Sequence, residues 1–419
     1  MVRLLCVALL AAPMALSAPP EAAQKAKKGE AAGPAAKAPG AAPSSPAAAR
    51  LLKPNANFAP DNLVVVRVGD GVNNLTNHAF PVTLDEYTQA GALVQSFPVP
   101  ATTVGLNSRL TVAGDPQTEG GVTPEGYLTL TSDRNYLVFT GYDAAIGEDG
   151  GSSGGVRTTG CALFNRIVAR VNVSGTIDTS TKINDGYDGS QIRSACSQDG
   201  SWFWTGGAQG STPNWGGTRY VQLGSAGAST RINTTPAPST RANHIFAGQL
   251  YTSSGDAPPG VNAIGTLLPT TPDQTMAILP GMTAGGNPQD YILLDRDPAT
   301  PGLDTLYLAD SSGSFRKYFF NSGTGNWTQI GLITQNLYGL TGYVVGTTAV
   351  LYATTVPAAA ASQPGGNKLV KLIDTAAFNS ALADSFTDVA TAGAFYLFRG
   401  VAFTPMSTVP VELLNFWVE

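Results

Sequence analysis

Between Leu63 and Phe403 the chain is written in short apolar runs, each stopped by Gly, Asp or Ser and followed by another run after a few polar positions. Runs of this length bounded by turn residues predict strands joined by tight hairpins rather than helices. The segment RSACSQDGSWFWTGG, residues 193–207, gives two such strands, and GTRYVQLG and STRINTT give two more.

The same four-strand unit recurs. Before it stand GYLTLTSD, NYLVFTGYD, RIVARVNVSG and TIDTSTKI. After it come RANHIFAG, QLYTSSGD, GVNAIG and QTMAIL, then DYILLDR, DTLYLADS, SFRKYFFN and WTQIGLI, then YGLTGYVVG, AVLYATT, NKLVKLI and SFTDVAT. Near residue 400, FRGVAFTP reads as a first strand without a second. NLVVVRVGDG, VTLDEYTQAG and ALVQSFPVP at the start read as second, third and fourth. Joined, they complete a sixth unit. Antiparallel four-stranded units with one split between the two ends are what a β-propeller needs to close its ring without a free edge. The expected fold is all-β, a six-bladed β-propeller whose terminal blade is closed by N- and C-terminal strands; seven blades is the alternative if the irregular stretch Val261 to Gln289 holds more strands. Phe203, Tyr136 and Tyr307 are expected to fill the space between blades, and Trp202 and Trp204, on one face of their strand, either to pack there or to form a sugar-stacking platform.

The ends differ in composition. MVRLLCVALLAAPMALSA has one Arg, a short apolar stretch and small residues at Ala15 and Ser17, the pattern of a signal peptide (residues 1–17) cut near Ser17 or Ala18. No later segment reaches the roughly 18 apolar residues of a transmembrane helix. Residues 18–58 are rich in Ala, Pro, Gly and Lys and predict a disordered linker or stalk. The propeller is expected over 59–405, with a tail at 406–419. The expected location is secreted or extracellular, possible attachment to the cell surface included.

Charge narrows the partners. Seven of the 24 Lys and Arg but only two of the 29 Asp and Glu lie in the first 60 residues, so the remainder is acidic by ten. That argues against nucleic acid, whose phosphates need a basic stripe. Beyond Cys6 only Cys161 and Cys196 remain, which form either a disulfide or two buried thiols. His78 and His244 are too isolated to suggest a zinc site or a pair.

Candidate chemistry follows from position in the repeat. At the start of the innermost strands stand Glu125, Arg193, Arg241, Asp290, Tyr338 and Arg399. Three Arg at equivalent positions could bind a carboxylate or sulfate, or could bond carbonyls of neighbouring blades. Asp295, Asp297 and Asp304 cluster in LLDRDPATPGLD and are the candidate metal ligands, for Ca²⁺, against the plainer reading of Asp residues capping their own turns. There is no nucleophile elbow, P-loop or dinucleotide fingerprint.

The segments NLVVVRVGDG, VTLDEYTQAGALVQS, YLVFTGYDA, IFAGQLYTSSG, PGLDTLYLAD and FRGVAF resemble those of a group of secreted, mostly bacterial proteins with a propeller-like repeat region, over roughly residues 60–404. The resemblance implies export and a repeat fold, and no activity. VPVELLNFWVE is similar to the PVEL stretch that precedes cell-surface sorting domains in some bacterial proteins. The functional expectation is a binding or structural module at the cell exterior with a polysaccharide or surface protein as partner. The alternative is a propeller hydrolase or lyase with a metal or Arg/carboxylate site at the channel mouth.

Overall fold

The computed structural model describes residues 57–406 apart from 116–122, 211–214, 236–238, 257, 283–284 and 358–365. The expected signal peptide, nearly all of the linker, and the tail beyond residue 406 lie outside the described residues. Six small antiparallel sheets form a six-bladed β-propeller.

Blade I takes its innermost strand, Leu397–Phe403, from the far end of the chain and continues outward through Leu63–Val68, Val82–Tyr87 and Leu93–Pro98. Leu63 pairs with Phe403 and Val68 with Leu397. Blade II runs Thr129–Leu130, Tyr136–Tyr142, Arg166–Asn172 and Ile177–Ile183. Blade III runs Ile192–Cys196, Trp202–Gly207, Arg219–Gln222 and Thr230–Arg231, and blade IV Thr240–Phe246, Gln249–Ser254, Gly260–Ile264 and Gln274–Ile278. Blade V runs Pro288–Leu294, Thr305–Asp310, Phe315–Asn321 and Asn326–Ile333, and blade VI Leu337–Val345, Thr348–Thr355, Lys368–Asp374 and Thr387–Thr391. The stretch Val261 to Gln289 supplies the outer strands of blade IV and the first residues of blade V, so the seven-bladed alternative is not realised.

Two short parallel additions stitch neighbouring sheets. Ala226–Gly227, from the outer part of blade III, pairs with the edge strand of blade II. Asn233–Thr235 pairs with the edge strand of blade IV. Each caps an edge that would otherwise present unpaired backbone.

The core is divided among the blade interfaces because every blade buries both faces. In Tyr136–Tyr142, Leu137 and Phe139 pack with Val64, Val66 and Val82 of blade I, while Val138 and Tyr142 pack with Ala195 and Phe203 of blade III. Period-two alternation therefore sends apolar residues both ways, and the strands read as continuous apolar runs. Each fully buried Leu, Val or Phe contributes about 1.5–3 kcal/mol. Close approach of the inner strands requires Gly400, where a Cβ would lie 2.3 Å from the Leu128 nitrogen.

The disulfide reading is corrected. Cys161 lies in the connection after Tyr142 and Cys196 in the inner strand of blade III, and both are free and buried. Each thiol instead donates to a carbonyl, Cys161 to Asn184 at 3.0 Å and Cys196 to Trp204 at 3.7 Å. Burial pushes both thiols above their ordinary range.

Candidate functional site

The starts of the innermost strands meet at one rim of the central channel, where the structure gathers the candidates chosen from the repeat. Arg193, Arg241, Arg399, Glu125, Tyr338 and Asp290 are all buried there. The Arg side chains reach into the following blade. Arg193 Nη1 donates to the Thr240 carbonyl of blade IV at 3.4 Å, and its Nε and Nη2 donate to Gln191 Oε1 at 3.0 and 2.8 Å. Arg241 donates to the Pro288 carbonyl of blade V. Arg399 donates to the Glu125 carbonyl at 3.4 Å and to the carbonyl of Ala113. The guanidinium fork is thus used to tie one blade to the next.

Glu125 is, with Asp290, one of two carboxylates among these six residues. It lies 3.6 Å from Arg399 and accepts from the Tyr142 hydroxyl at 2.7 Å and the Ala113 amide at 3.1 Å. Burial raises its carboxyl above the ordinary Glu range, and Arg399 pulls against that rise. Tyr338 donates to the Glu125 carbonyl, and its ring stacks on Tyr127 at 4.7 Å with 5° between planes. Tyr127 in turn donates to Gln289 Oε1 at 2.6 Å. Blades II, V and VI are therefore joined through aromatic rings at this rim. Burial lifts both phenols well above their ordinary range.

The Asp cluster is not assembled as a metal site. Asp304 is buried and accepts from the amides of Arg296 and Asp297, at 3.0 and 2.6 Å, and from Thr305 Oγ1 at 2.6 Å. Asp297 caps its own turn through Ala299 and Thr300, and Asp295 is exposed. Among the described residues no group of three or more His, Cys, Asp and Glu could hold a metal ion.

Three features were not read from the sequence. Arg296, between two of those Asp residues, is buried and reaches Asp374 of blade VI at 2.8 Å, which Lys317 also contacts at 2.8 Å. His244 of blade IV lies 2.6 Å from Asp290 of blade V, whose other oxygen accepts from the Leu340 amide of blade VI at 2.9 Å. Further along the inner strands lies a cavity of about 120 Å³ to which every blade contributes, through Thr129, Cys196, His244, Tyr291, Thr341 and Ala402. The residue spacing held a signal for the His–Asp pair: the two are 46 residues apart, close to the 47 that separate Arg193 from Thr240 and Arg241 from Pro288.

A second concavity, of about 770 Å³, lies on the outer part of blade III. Trp202 and Tyr220 stack there at 4.8 Å with 5° between planes, beside Gln222, Ser225, Ser229 and Thr270. Trp202 is 37% exposed. Trp204 is buried instead, its indole N–H donating to the Pro269 carbonyl at 2.7 Å. The two Trp on one strand face thus divide between the two expected roles, blade packing for Trp204 and an exposed aromatic surface for Trp202.

No known protein family matches the sequence, and no curated protein does. Among solved structures the chain is similar to a periplasmic gluconolactonase of Pseudomonas aeruginosa, at 13% identity and TM-score 0.43 over 78% of this chain and 83% of that one. It is also similar to a Bacteroides fragilis protein described as a candidate 6-phosphogluconolactonase, at 12% identity and TM-score 0.42 over 78% and 82%. A third is the major Malassezia sympodialis allergen Mala s 1, at 11% identity and TM-score 0.41 over 82% and 96%.

Proposed function

We propose that this propeller is an extracellular saccharide-binding module and that the hollow on blade III is its sugar site. One observation carries the reading: Trp202, 37% exposed and stacked parallel to Tyr220, stands at the edge of a concavity furnished with Gln, Ser and Thr side chains. A pyranose has an apolar C–H face and a rim of hydroxyls, which calls for an aromatic surface and neutral hydrogen-bonding groups beside it. The volume falls within the roughly 300–1,000 Å³ typical of small-molecule sites. The signal-like start of the chain and its Lys- and Pro-rich stalk support a place outside the cell.

The competing hydrolase or lyase reading needs Arg193, Arg241 and Arg399 to converge on substrate. Their bonds to backbone carbonyls of the next blade weigh against it. A panel of neutral and acidic glycans titrated against the protein tests the proposal. Binding that drops at least about tenfold in Trp202→Ala, with the unfolding midpoint unchanged, is expected. Equal binding by the variant, or no glycan bound by the parent, overturns it.

A further inference from the structure

Every side chain that lines the blade III hollow is uncharged. The cause is the two-residue period of its strands. In Arg219–Gln222, Tyr220 and Gln222 face the hollow while Arg219 points to the other side of the sheet, opposite Arg231 in the ladder; Tyr220 is opposite Thr230. The cations nearby are also engaged. Arg219 is buried and holds Asp185 at 3.2 Å and Ser229 Oγ at 2.7 Å. Arg231 Nε donates to the Asn233 carbonyl at 3.0 Å, and Arg170 pairs with Asp178 at 3.3 Å. Burial and the nearby Asp199 carboxylate both push the Tyr220 phenol up, so the charge felt at that ring is negative.

The hydrogen-bonding groups of the hollow fall into two sets. Ser225 Oγ donates to the Ala228 carbonyl at 2.8 Å and Ser229 Oγ to Asp185 at 2.5 Å, so both serve the protein itself. The Gln222 amide and the hydroxyls of Thr230 and Thr270 have no partner among the described residues. Gln222 is exposed and directly opposite Trp202 in the ladder, and facing residues have Cβ atoms about 4.5–5.5 Å apart. A sugar ring resting on the Trp202 indole therefore comes within reach of an amide that offers both a donor and an acceptor.

We infer that the hollow selects neutral glycans over uronates and sulfated glycans, and that Gln222 is its specificity-determining residue, its amide nitrogen donating to one sugar hydroxyl and its carbonyl accepting from the next. The inference rests on the reading of this hollow as a saccharide site. An anionic sugar would give up hydration at a wall that offers no cation in exchange, which is unfavourable. A sugar hydroxyl in the same place finds a neutral donor or acceptor.

The test is calorimetric titration of the full chain with oligosaccharides of glucose, galactose and mannose, each against its uronate counterpart. Saturable binding of at least one neutral series is expected, with its uronate at least about tenfold weaker. Gln222→Leu should weaken the neutral sugar at least about tenfold and leave the unfolding midpoint unchanged, because the side chain is exposed. Gln222→Arg should narrow the gap by tightening the uronate. If binding depends on Trp202 but the uronate binds as well as the neutral sugar, or Gln222→Leu binds equally, this inference falls and the saccharide site stands. If no oligosaccharide binds, or Trp202→Ala binds as tightly as the parent, both fall.

Discussion

Tyr127 of blade II donates its hydroxyl to Gln289 of blade V at 2.6 Å, joining two blades that are opposite each other in the ring. The Gln289 amide nitrogen is also engaged, with Asn287 and Ser311. Tyr127→Phe keeps the stack on Tyr338 but strips a buried acceptor of its donor, which costs about 1–3 kcal/mol. Urea unfolding should show the midpoint falling with an unchanged slope.

The rim also sets a pH response. Burial raises the carboxyls of Glu125 and Asp115 above their ordinary 4.5 and 3.8. Over that interval the native state holds more protons than the unfolded one, so these groups make stability fall as pH rises through the folded-state values. Glu125→Gln should flatten this part of the profile, measured as the change in unfolding free energy between mildly acidic and neutral pH. An identical slope in parent and variant would remove Glu125 as its source.

Between blades V and VI, Asp374 sits between Arg296 and Lys317, all three side chains fully buried. Removing the anion leaves two cations without their counter-charge, and Asp374→Ala should cost about 3–5 kcal/mol. Thermal unfolding checks this. Arg296→Met together with Lys317→Met and Asp374→Leu should not recover the loss, because the carbonyls of Thr347, Ala376, Ala377 and Ser380 and the Tyr307 hydroxyl would then lose their partners.

Cys161 and Cys196 should resist alkylation in the native protein and react once it is unfolded, since burial holds both as thiols. Peptide mapping after labelling with iodoacetamide reads this directly. A reductant should leave the unfolding midpoint where it is.

Gly400→Ala should be strongly destabilising, because the added methyl meets the Leu128 backbone nitrogen at 2.3 Å, with Gly126 O at 2.6 Å. Neither contact belongs to a flexible side chain that could move aside. Circular dichroism and the yield of folded protein distinguish this outcome from a tolerated change.

The blade count was legible because inner strands such as Tyr136–Tyr142 and Thr305–Asp310 bury both faces, so Leu137 to Tyr142 or Leu306 to Ala309 reads as an apolar run that stops at a turn. The closing strand was legible from FRGVAF standing alone at residue 398. The repeat also placed Glu125, Arg193, Arg241, Tyr338 and Arg399 on one rim. Their partners were not legible, since a carbonyl such as that of Thr240 or Pro288 carries no mark in a side-chain sequence. Nearness in sequence misled at Asp295, Asp297 and Asp304: the central partner there is Arg296, and its counter-ion is 78 residues away.

The pairing of Leu63–Val68 with Leu397–Phe403 has a consequence for synthesis. The second strand of blade I leaves the ribosome early and must wait for its inner neighbour until almost the whole domain has been made. At about 5–20 residues per second the wait is on the order of 20–70 s. Throughout that time a nascent chain carries an unpaired strand edge, and the ring is a horseshoe with two sticky ends. A chaperone that shields Leu63–Val68 during translation would have a defined window in which to act, and it would be released by the chain's own last strand.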